Sequence, residues 1–178
     1  MIKLQRIKTA DIDLYQFMEN LITTAFPAEE YRALEQLREY TDKVELFHNN
    51  VILEDEQPIG LLTYWNFGEF YYIEHFATDP SMRNGGYGKK TLEYVCTQFG
   101  KPIVLEVERP EEEMAIRRIG FYQRQGFKLW KNDYLQPPYK EGDDFLPLYI
   151  MAHGDLNPDT DYETVKNKIH RFVYGVKE

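Results

Sequence analysis

The sequence has few of the features that mark membrane, secreted or disulfide-stabilised proteins. Its 178 residues include one cysteine, Cys96, which excludes an internal disulfide and a cysteine-based metal cluster. No stretch approaches the roughly 18 apolar residues that a membrane span needs. Lys3, Arg6 and Lys8 interrupt the first fifteen residues, so that segment does not resemble the apolar core of a signal peptide. We therefore expect a cytoplasmic protein without a membrane partner.

Positive charge is also scarce, because 21 Lys and Arg residues stand against 30 Asp and Glu residues and give a formal charge of −9. This balance argues against broad nucleic-acid binding, which depends on a positive field. It is compatible with an amine or another cationic substrate, and equally with a charge that serves only solubility. The length and the 43% hydrophobic content predict one folded domain over residues 1–178, present as a monomer or a homodimer.

The spacing of apolar residues and turn signals predicts a chain that changes character near its middle. The first half reads as two helices and an antiparallel meander, and the second half as β-α-β-α-β with a C-terminal helix. This order predicts the α+β (α/β) class, with a mixed sheet of about six to seven strands and helices on both faces. The predicted strands cover residues 1–7, 44–47, 51–54, 59–65, 70–78, 101–108, 127–130 and 145–152, and the predicted helices cover residues 9–25, 29–40, 88–99, 110–125 and 158–176.

A glycine-rich loop over residues 83–88, with the sequence RNGGYG, separates a strand from a helix. Glycines let backbone N–H groups approach an anion, and the helix N-terminus adds partial positive charge. Arg83, Lys89 and Lys90 add three cations to this short window. The loop matches neither a P-loop nor the dinucleotide-binding fingerprint. Alone, it is compatible with a phosphate site and with an ordinary turn.

The loop also has the pattern R-x-x-G-x-G, and residues 118–127 read RIGFYQRQGF, a helix whose tyrosine precedes a terminal Gly-Phe pair. Together, in this order and with one strand and two helices between them, these motifs resemble those of the GNAT superfamily of acyl-CoA N-acyltransferases. The resemblance is strongest over residues 58–152. It implies a GNAT-like fold and transfer of an acetyl group from acetyl-CoA to a primary amine of a small molecule or peptide, without a metal.

The resemblance also implies how the coenzyme is held. The pantetheine arm is expected to pair as an added strand beside Phe76, Ala77 and Thr78. One departure concerns Ala115, because many relatives have an asparagine there that binds this arm. Backbone amides of the loop are expected to hold the pyrophosphate, which assigns cofactor-binding roles to Arg83, Asn84, Gly85, Gly86, Tyr87, Gly88 and Lys89.

Direct acyl transfer needs a proton donor for the departing thiolate and a proton acceptor for the amine. Tyr122 matches the tyrosine of the family and is the candidate donor. Glu74 is the preferred acceptor, since a carboxylate between aromatic neighbours should have a raised pKa. Regular alternation along residues 70–78 places Glu74 on the face of Tyr72, Phe76 and Thr78, and His75 on the opposite face. His75, Glu106, Glu108 and a water relay remain alternatives.

The acceptor is expected between residues 26–31 and 134–148, two segments rich in aromatic and acidic side chains that suit a cation. Two other functions remain open. The chain can be an acyl-CoA-binding or sensor domain without transfer activity, or a nucleotide-binding protein that uses the same loop.

Overall fold

A computed structural model describes residues 1–82 and 85–177 as a seven-stranded mixed sheet with helices on both faces. The strands lie in the order β1-β2-β3-β4-β5-β7-β6. The strands are β1 (Ile2–Arg6), β2 (Phe47–Glu54), β3 (Gln57–Asn66), β4 (Tyr71–Thr78), β5 (Ile103–Glu108), β6 (Lys128–Gln136) and β7 (Leu146–His153). The helices are α1 (Ile12–Ala25), α2 (Leu34–Lys43), α3 (Tyr87–Gln98), α4 (Glu113–Arg124) and α5 (Pro158–Lys168).

The only parallel strand pair among the described residues joins β4 to β5, across the α3 crossover. This pair is short, because it ends at Ile73 and Leu105 after three register positions. The two strands part beyond that point, while β4 stays paired with β3 and β5 stays paired with β7. The sheet therefore opens in its middle, and that opening positions the site described below.

Two hydrophobic cores cover the two faces of the sheet. One core packs α1, α2 and α5 against residues such as Phe47, Trp65 and Tyr72. The other packs α3 and α4 against residues such as Ile73 and Leu105. The predicted class, a mixed sheet of about seven strands and the helices on both faces are confirmed, but the two strands predicted over residues 44–47 and 51–54 form the single strand β2. Within the described residues, no helix has the length and apolar character needed to cross a membrane.

Two predicted helices have different bounds in the structure. The helix predicted over residues 29–40 is wrong, because a short 3-10 turn, Ala28–Glu30, is followed by extended backbone at Tyr31 before α2 begins at Leu34. This break turns Arg32 into the protein interior, where its side chain is 3% exposed. The helix predicted over residues 158–176 ends as an α-helix at Lys168 and continues as a π-helical segment, Ile169–Val173.

A β-bulge interrupts β4 at Glu74. Thr63 pairs with His75 and the next residue of β3, Tyr64, pairs with Ile73, so Glu74 is the extra residue. The prediction of uninterrupted alternation is therefore wrong. Phe76 packs on the α3–α4 side with Ile73, and not on the face of Tyr72. The α1–α2 side receives Tyr72, Glu74, His75 and Ala77.

Candidate active site

A cavity of about 360 Å³ lies where β4 and β5 part. We call it the inner cavity. Its wall combines apolar side chains with five carboxylates and the Arg118 guanidinium. The lining residues are Phe26, Glu29, Glu30, Ile73, Glu74, His75, Phe76, Leu105, Glu106, Val107, Glu108, Arg118, Tyr122, Gln136, Tyr139, Leu146 and Leu148.

Glu74 is held as an ion pair in this wall. One of its oxygens accepts from Arg32 at 2.5 Å and from the Tyr139 hydroxyl at 2.8 Å, and the other accepts from the Trp65 indole at 2.7 Å. Burial raises the pKa of Glu74, but the Arg32 guanidinium and the hydrogen bonds outweigh it, so the pKa lies below its ordinary value. The prediction of a raised pKa is therefore wrong.

Glu106 is the corresponding carboxylate on β5. Its Oε1 accepts from the hydroxyls of Tyr72 and Tyr174 at 2.6 Å and from the Gln136 amide at 2.8 Å, and its Oε2 accepts from the Tyr134 hydroxyl. No cation forms a salt bridge with Glu106 in the part of the chain that the structure describes. Burial raises the pKa of Glu106 above its ordinary value, although these hydrogen bonds act against the shift.

His75 lies on the same side of the sheet as Glu74 because of the bulge, and not on the opposite face as predicted. Its Nε2 is 2.7 Å from the carbonyl oxygen of Glu30, and its ring packs edge-on against Phe26 and stacks on Tyr139. Burial lowers the pKa of His75 more than Glu74 and the Glu30 carbonyl raise it. The imidazole is therefore neutral at pH 7.

Tyr122 lies on α4 and lines the inner cavity from the α3–α4 side of the sheet. Burial raises the pKa of its hydroxyl to about 12, so the phenol is protonated at neutral pH and can donate a hydrogen bond. Cys96 packs beside the same core, and burial raises the pKa of its thiol to about 11, which disfavours a thiolate nucleophile.

A second, more open cavity of about 390 Å³ adjoins the inner cavity, and we call it the outer groove. The two share Phe76, Arg118 and Tyr122. The remaining lining residues are Ala77, Thr78, Gly88, Met114, Arg117 and Phe121. All three β4 residues that were predicted to border the coenzyme arm, Phe76 to Thr78, therefore lie along one groove.

The glycine loop leads into α3 beside the outer groove. Gly86 is the N-cap, with a φ of +68°, a left-handed conformation that favours glycine. The first intrahelical bond runs from the Lys90 amide to the Gly86 carbonyl, so the amides at the helix start lack an intrahelical partner. These include the amides of Tyr87, Gly88 and Lys89. Arg83 and Asn84, also predicted to bind the coenzyme, lie outside the described residues.

The face of α4 that borders the outer groove carries two arginines beside apolar and aromatic side chains. Arg117 and Arg118 line the groove, whereas Ala115 is buried in the core of the domain. The position where many relatives have an asparagine thus supplies no side-chain hydrogen bond. Two guanidinium groups stand one turn further along instead.

The two segments predicted to surround the acceptor do meet in the inner cavity. Phe26, Glu29 and Glu30 line it from one segment, and Tyr139 lines it from the other. Burial and repulsion by Glu108 and Glu29 raise the pKa of Glu30. Three other aromatic residues of these segments lie elsewhere: Tyr134 is buried against Glu106, Tyr31 packs near Lys140, and Phe145 is exposed.

Sequence reasoning missed three polar residues that organise the inner cavity: Arg32, Gln136 and Tyr174. Arg32 also donates to the carbonyl of Val173, so it connects the segment before α2 to the C-terminal segment. No local pattern signals these contacts, because their partners are distant along the chain. Within residues 1–82 and 85–177, no cluster of three or more His, Cys, Asp or Glu side chains is arranged to hold a metal ion.

Comparison with protein families gives the class to which this architecture belongs. The model of the acetyltransferase (GNAT) family matches residues 13–127, which is more than half of the chain. The chain belongs to the GNAT family of acetyltransferases, which confirms the family inferred from the two motifs.

Individual relatives agree with this assignment. A Bacteroides thetaiotaomicron protein assigned to the GNAT family as an acetyltransferase is 63% identical, with 98% of this chain and 99% of that chain covered and a TM-score of 0.97. A Bacillus subtilis acetyltransferase solved with CoA is 17% identical, covers 87% of this chain and 98% of its own, and has a TM-score of 0.56, which shows the shared fold.

The chain also matches part of much longer proteins. A DNA ligase of Francisella tularensis subsp. novicida is 27% identical over 144 residues, which is 81% of this chain and 20% of the ligase. The chain therefore spans about a fifth of the length of the curated relatives that it matches.

Proposed function

We propose that this protein is an acyl-CoA-dependent N-acetyltransferase that moves an acetyl group from acetyl-CoA to a primary amine by direct attack. The observation that best supports this proposal is that two adjoining cavities share Tyr122 in their walls, close to the point where β4 and β5 part. The outer groove leads from the N-terminus of α3, a suitable anion site, to Tyr122. The inner cavity leads from Tyr122 to an acidic, aromatic wall. One substrate can thus approach from each side of the sheet.

In this arrangement the coenzyme occupies the outer groove. The amides of residues 85–89 bind the pyrophosphate, and Arg117 and Arg118 supply positive charge nearby. The pantetheine arm runs beside Phe76, Ala77 and Thr78. Tyr122 then stands beside the thioester sulfur at the junction of the two cavities. The CoA complex of the B. subtilis acetyltransferase, which shares the fold, supports an acyl-CoA as the co-substrate.

The reaction follows from these positions. A neutral amine in the inner cavity attacks the thioester carbon, the C–N bond forms and the C–S bond breaks. The departing thiolate takes the hydroxyl proton of Tyr122, and the resulting phenolate recovers a proton from the newly acylated nitrogen. In this proposal Glu74 positions its neighbours and does not accept the proton, because it is already ion-paired with Arg32.

The inner cavity favours an acceptor with positive charge. Glu29, Glu30, Glu106 and Glu108 line it together with the ion-paired Glu74, against the single guanidinium of Arg118. A cation between carboxylates and the rings of Phe26 and Tyr139 is stabilised by both. We therefore propose that a second ammonium group in the acceptor improves its binding.

The experiment measures thiol release from acetyl-CoA with three amines of equal chain length: 1,4-diaminobutane, n-butylamine and 4-aminobutanoate. The expected order of kcat/KM is diamine, monoamine, amino acid. Tyr122→Phe should lower kcat by about 100-fold and leave the thermal shift caused by CoA unchanged. A CoA shift without turnover of any amine would favour the sensor function, and a shift with ATP but not with CoA would favour a nucleotide-binding protein.

A further inference from the structure

The proton acceptor of the reaction is not evident from the carboxylates that surround the inner cavity. Glu74 accepts three hydrogen bonds and is neutralised by Arg32. Glu106 accepts four hydrogen bonds from three phenols and an amide. Both carboxylates already have a partner at each oxygen, and these hydrogen bonds favour the ionised form over uptake of a proton.

His75 differs because one of its two ring nitrogens has no hydrogen-bond partner among the described residues. Nε2 lies 2.7 Å from the carbonyl oxygen of Glu30. A carbonyl oxygen only accepts, so Nε2 must carry the ring proton, and Nδ1 is left with a lone pair. Phe26, at a ring-centroid distance of 4.9 Å, and Tyr139, at 6.0 Å, fix the ring in this orientation.

The charges around His75 suit a group that is neutral before the reaction and charged during it. Nδ1 is 3.9 Å from Oε2 of Glu74, which would attract a proton placed on Nδ1. Arg32 repels such a proton, while the Tyr139 hydroxyl donates to the same Glu74 oxygen. The Glu30 carbonyl holds the opposite end of the ring. Burial favours the neutral ring, so the net shift leaves the imidazole available as a base.

We propose that Nδ1 of His75 accepts the proton that the acceptor ammonium must lose, and that Glu74 is the positioning residue that stabilises the imidazolium. An N–H bond of the ammonium breaks, the proton joins Nδ1, and the lone pair left on the amine attacks the thioester carbon. The imidazolium later releases this proton to water. This inference rests on the proposed acetyl transfer, and the bulge at Glu74 makes it possible by placing two successive side chains on one face.

The test compares His75→Gln with the wild-type protein on acetyl-CoA and two amines, n-butylamine, which is charged at pH 7, and 2,2,2-trifluoroethylamine, which is neutral there. The glutamine amide can still donate to the Glu30 carbonyl, so the variant removes the basic nitrogen and retains that contact. We expect kcat to fall by about 100-fold for n-butylamine, by much less for trifluoroethylamine, and the KM for acetyl-CoA to stay unchanged.

The pH dependence of kcat/KM distinguishes a base from a residue with a purely structural role, because loss of a structural residue would not change the shape of the profile. In the wild-type protein, kcat/KM for n-butylamine, which stays charged over this pH range, should rise with pH and level off once His75 is neutral. In His75→Gln this plateau should be lost. The CoA-induced thermal shift of the variant checks its fold. Retention of kcat within about threefold for n-butylamine, or 15N NMR signals showing a proton on Nδ1 at pH 7, would overturn the inference. Absence of turnover by the wild-type protein would instead refute the proposed function.

Discussion

Glu74 and Glu106 occupy equivalent positions on the two strands that part in the middle of the sheet. Each follows the last residue that its strand contributes to the β4–β5 pair, Ile73 on β4 and Leu105 on β5. Both side chains point to the α1–α2 side and line the same cavity. Despite this symmetry, their pKa values shift in opposite directions, because Arg32 acts on Glu74 and burial dominates at Glu106.

The difference shows that the partners of a buried carboxylate, and not the extent of its burial alone, determine how much net charge it adds to the cavity. Glu74 and Arg32 neutralise one another, so the pair connects β4 to the segment before α2 without adding net charge to the cavity. Glu106 accepts hydrogen bonds only from neutral donors, so its negative charge, when ionised, is not cancelled by a paired cation. The electrostatic preference of the inner cavity for a cation therefore depends more on Glu106 than on Glu74.

The largest expected effect comes from removing the cation of the pair. Arg32→Met leaves Glu74 buried without compensation, which should lower the free energy of unfolding by about 3–5 kcal/mol in urea titrations at pH 7. The double variant Arg32→Met/Glu74→Gln should recover part of this loss, since no buried charge remains. A double variant as unstable as the single one would show that packing of the guanidinium, and not charge, explains the loss.

A smaller effect is expected at Glu106, which has no cation to leave unpaired. Glu106→Gln keeps one acceptor oxygen, and the tyrosine hydroxyls can rotate to accept from the new amide. We expect a loss of about 1–3 kcal/mol in the same titrations. Glu108→Gln, on the same strand but exposed, is the matched control and should change stability by less than about 0.5 kcal/mol. Equal losses at both positions would show that the hydrogen bonds from Tyr72, Tyr134 and Tyr174 to Glu106 do not stabilise the fold.

The smallest expected effect is the pH dependence of stability in the variants Glu74→Gln and Glu106→Gln, for which changes of opposite sign are expected. Folding lowers the pKa of Glu74, so its ionised form adds stability at neutral pH that is lost as the folded carboxylate takes up a proton. Folding raises the pKa of Glu106, so its ionised form reduces stability at neutral pH, and acidification relieves this. On acidification, the destabilisation by Glu74→Gln should therefore shrink and that by Glu106→Gln should grow.

Urea titrations from neutral pH down to about pH 3.5 measure both slopes, because this range spans the ordinary glutamate pKa of about 4.3. The change in Glu106→Gln should occur above that value, and the change in Glu74→Gln below it. Parallel slopes in the two variants would show that the two carboxylates do not differ in the way described.

The local features of the fold could be predicted from the sequence. Alternating apolar residues and short turns identified the sheet, and Gly86 and Gly88 marked the start of α3. The helix predicted over residues 29–40 was wrong, because the chain leaves helical geometry to bury Arg32. That burial depends on Glu74, 42 positions away, and no local pattern records it.

The hydrogen bonds that line the cavity were harder to predict from the sequence, because they too join residues that are distant along the chain. Tyr174 reaches Glu106 across 68 positions, and Gln136 reaches it across 30. The bulge at Glu74 has no glycine or proline to mark it within β4, so regular alternation was the reasonable expectation. One unmarked residue was enough to place His75 on the wrong side of the predicted strand.

This bulge has a consequence for how such a site can arise or be engineered. Without Glu74, the remaining residues of β4 would form a regular strand, with Ile73 and Phe76 on one face and His75 on the other, as they are in the bulged strand. The second polar side chain is thus an insertion into a scaffold that does not otherwise need it. Deletion of Glu74, combined with a neutral replacement of Arg32, removes the ion pair and the bulge but leaves the rest of the strand in place. No series of substitutions in β4 has this effect.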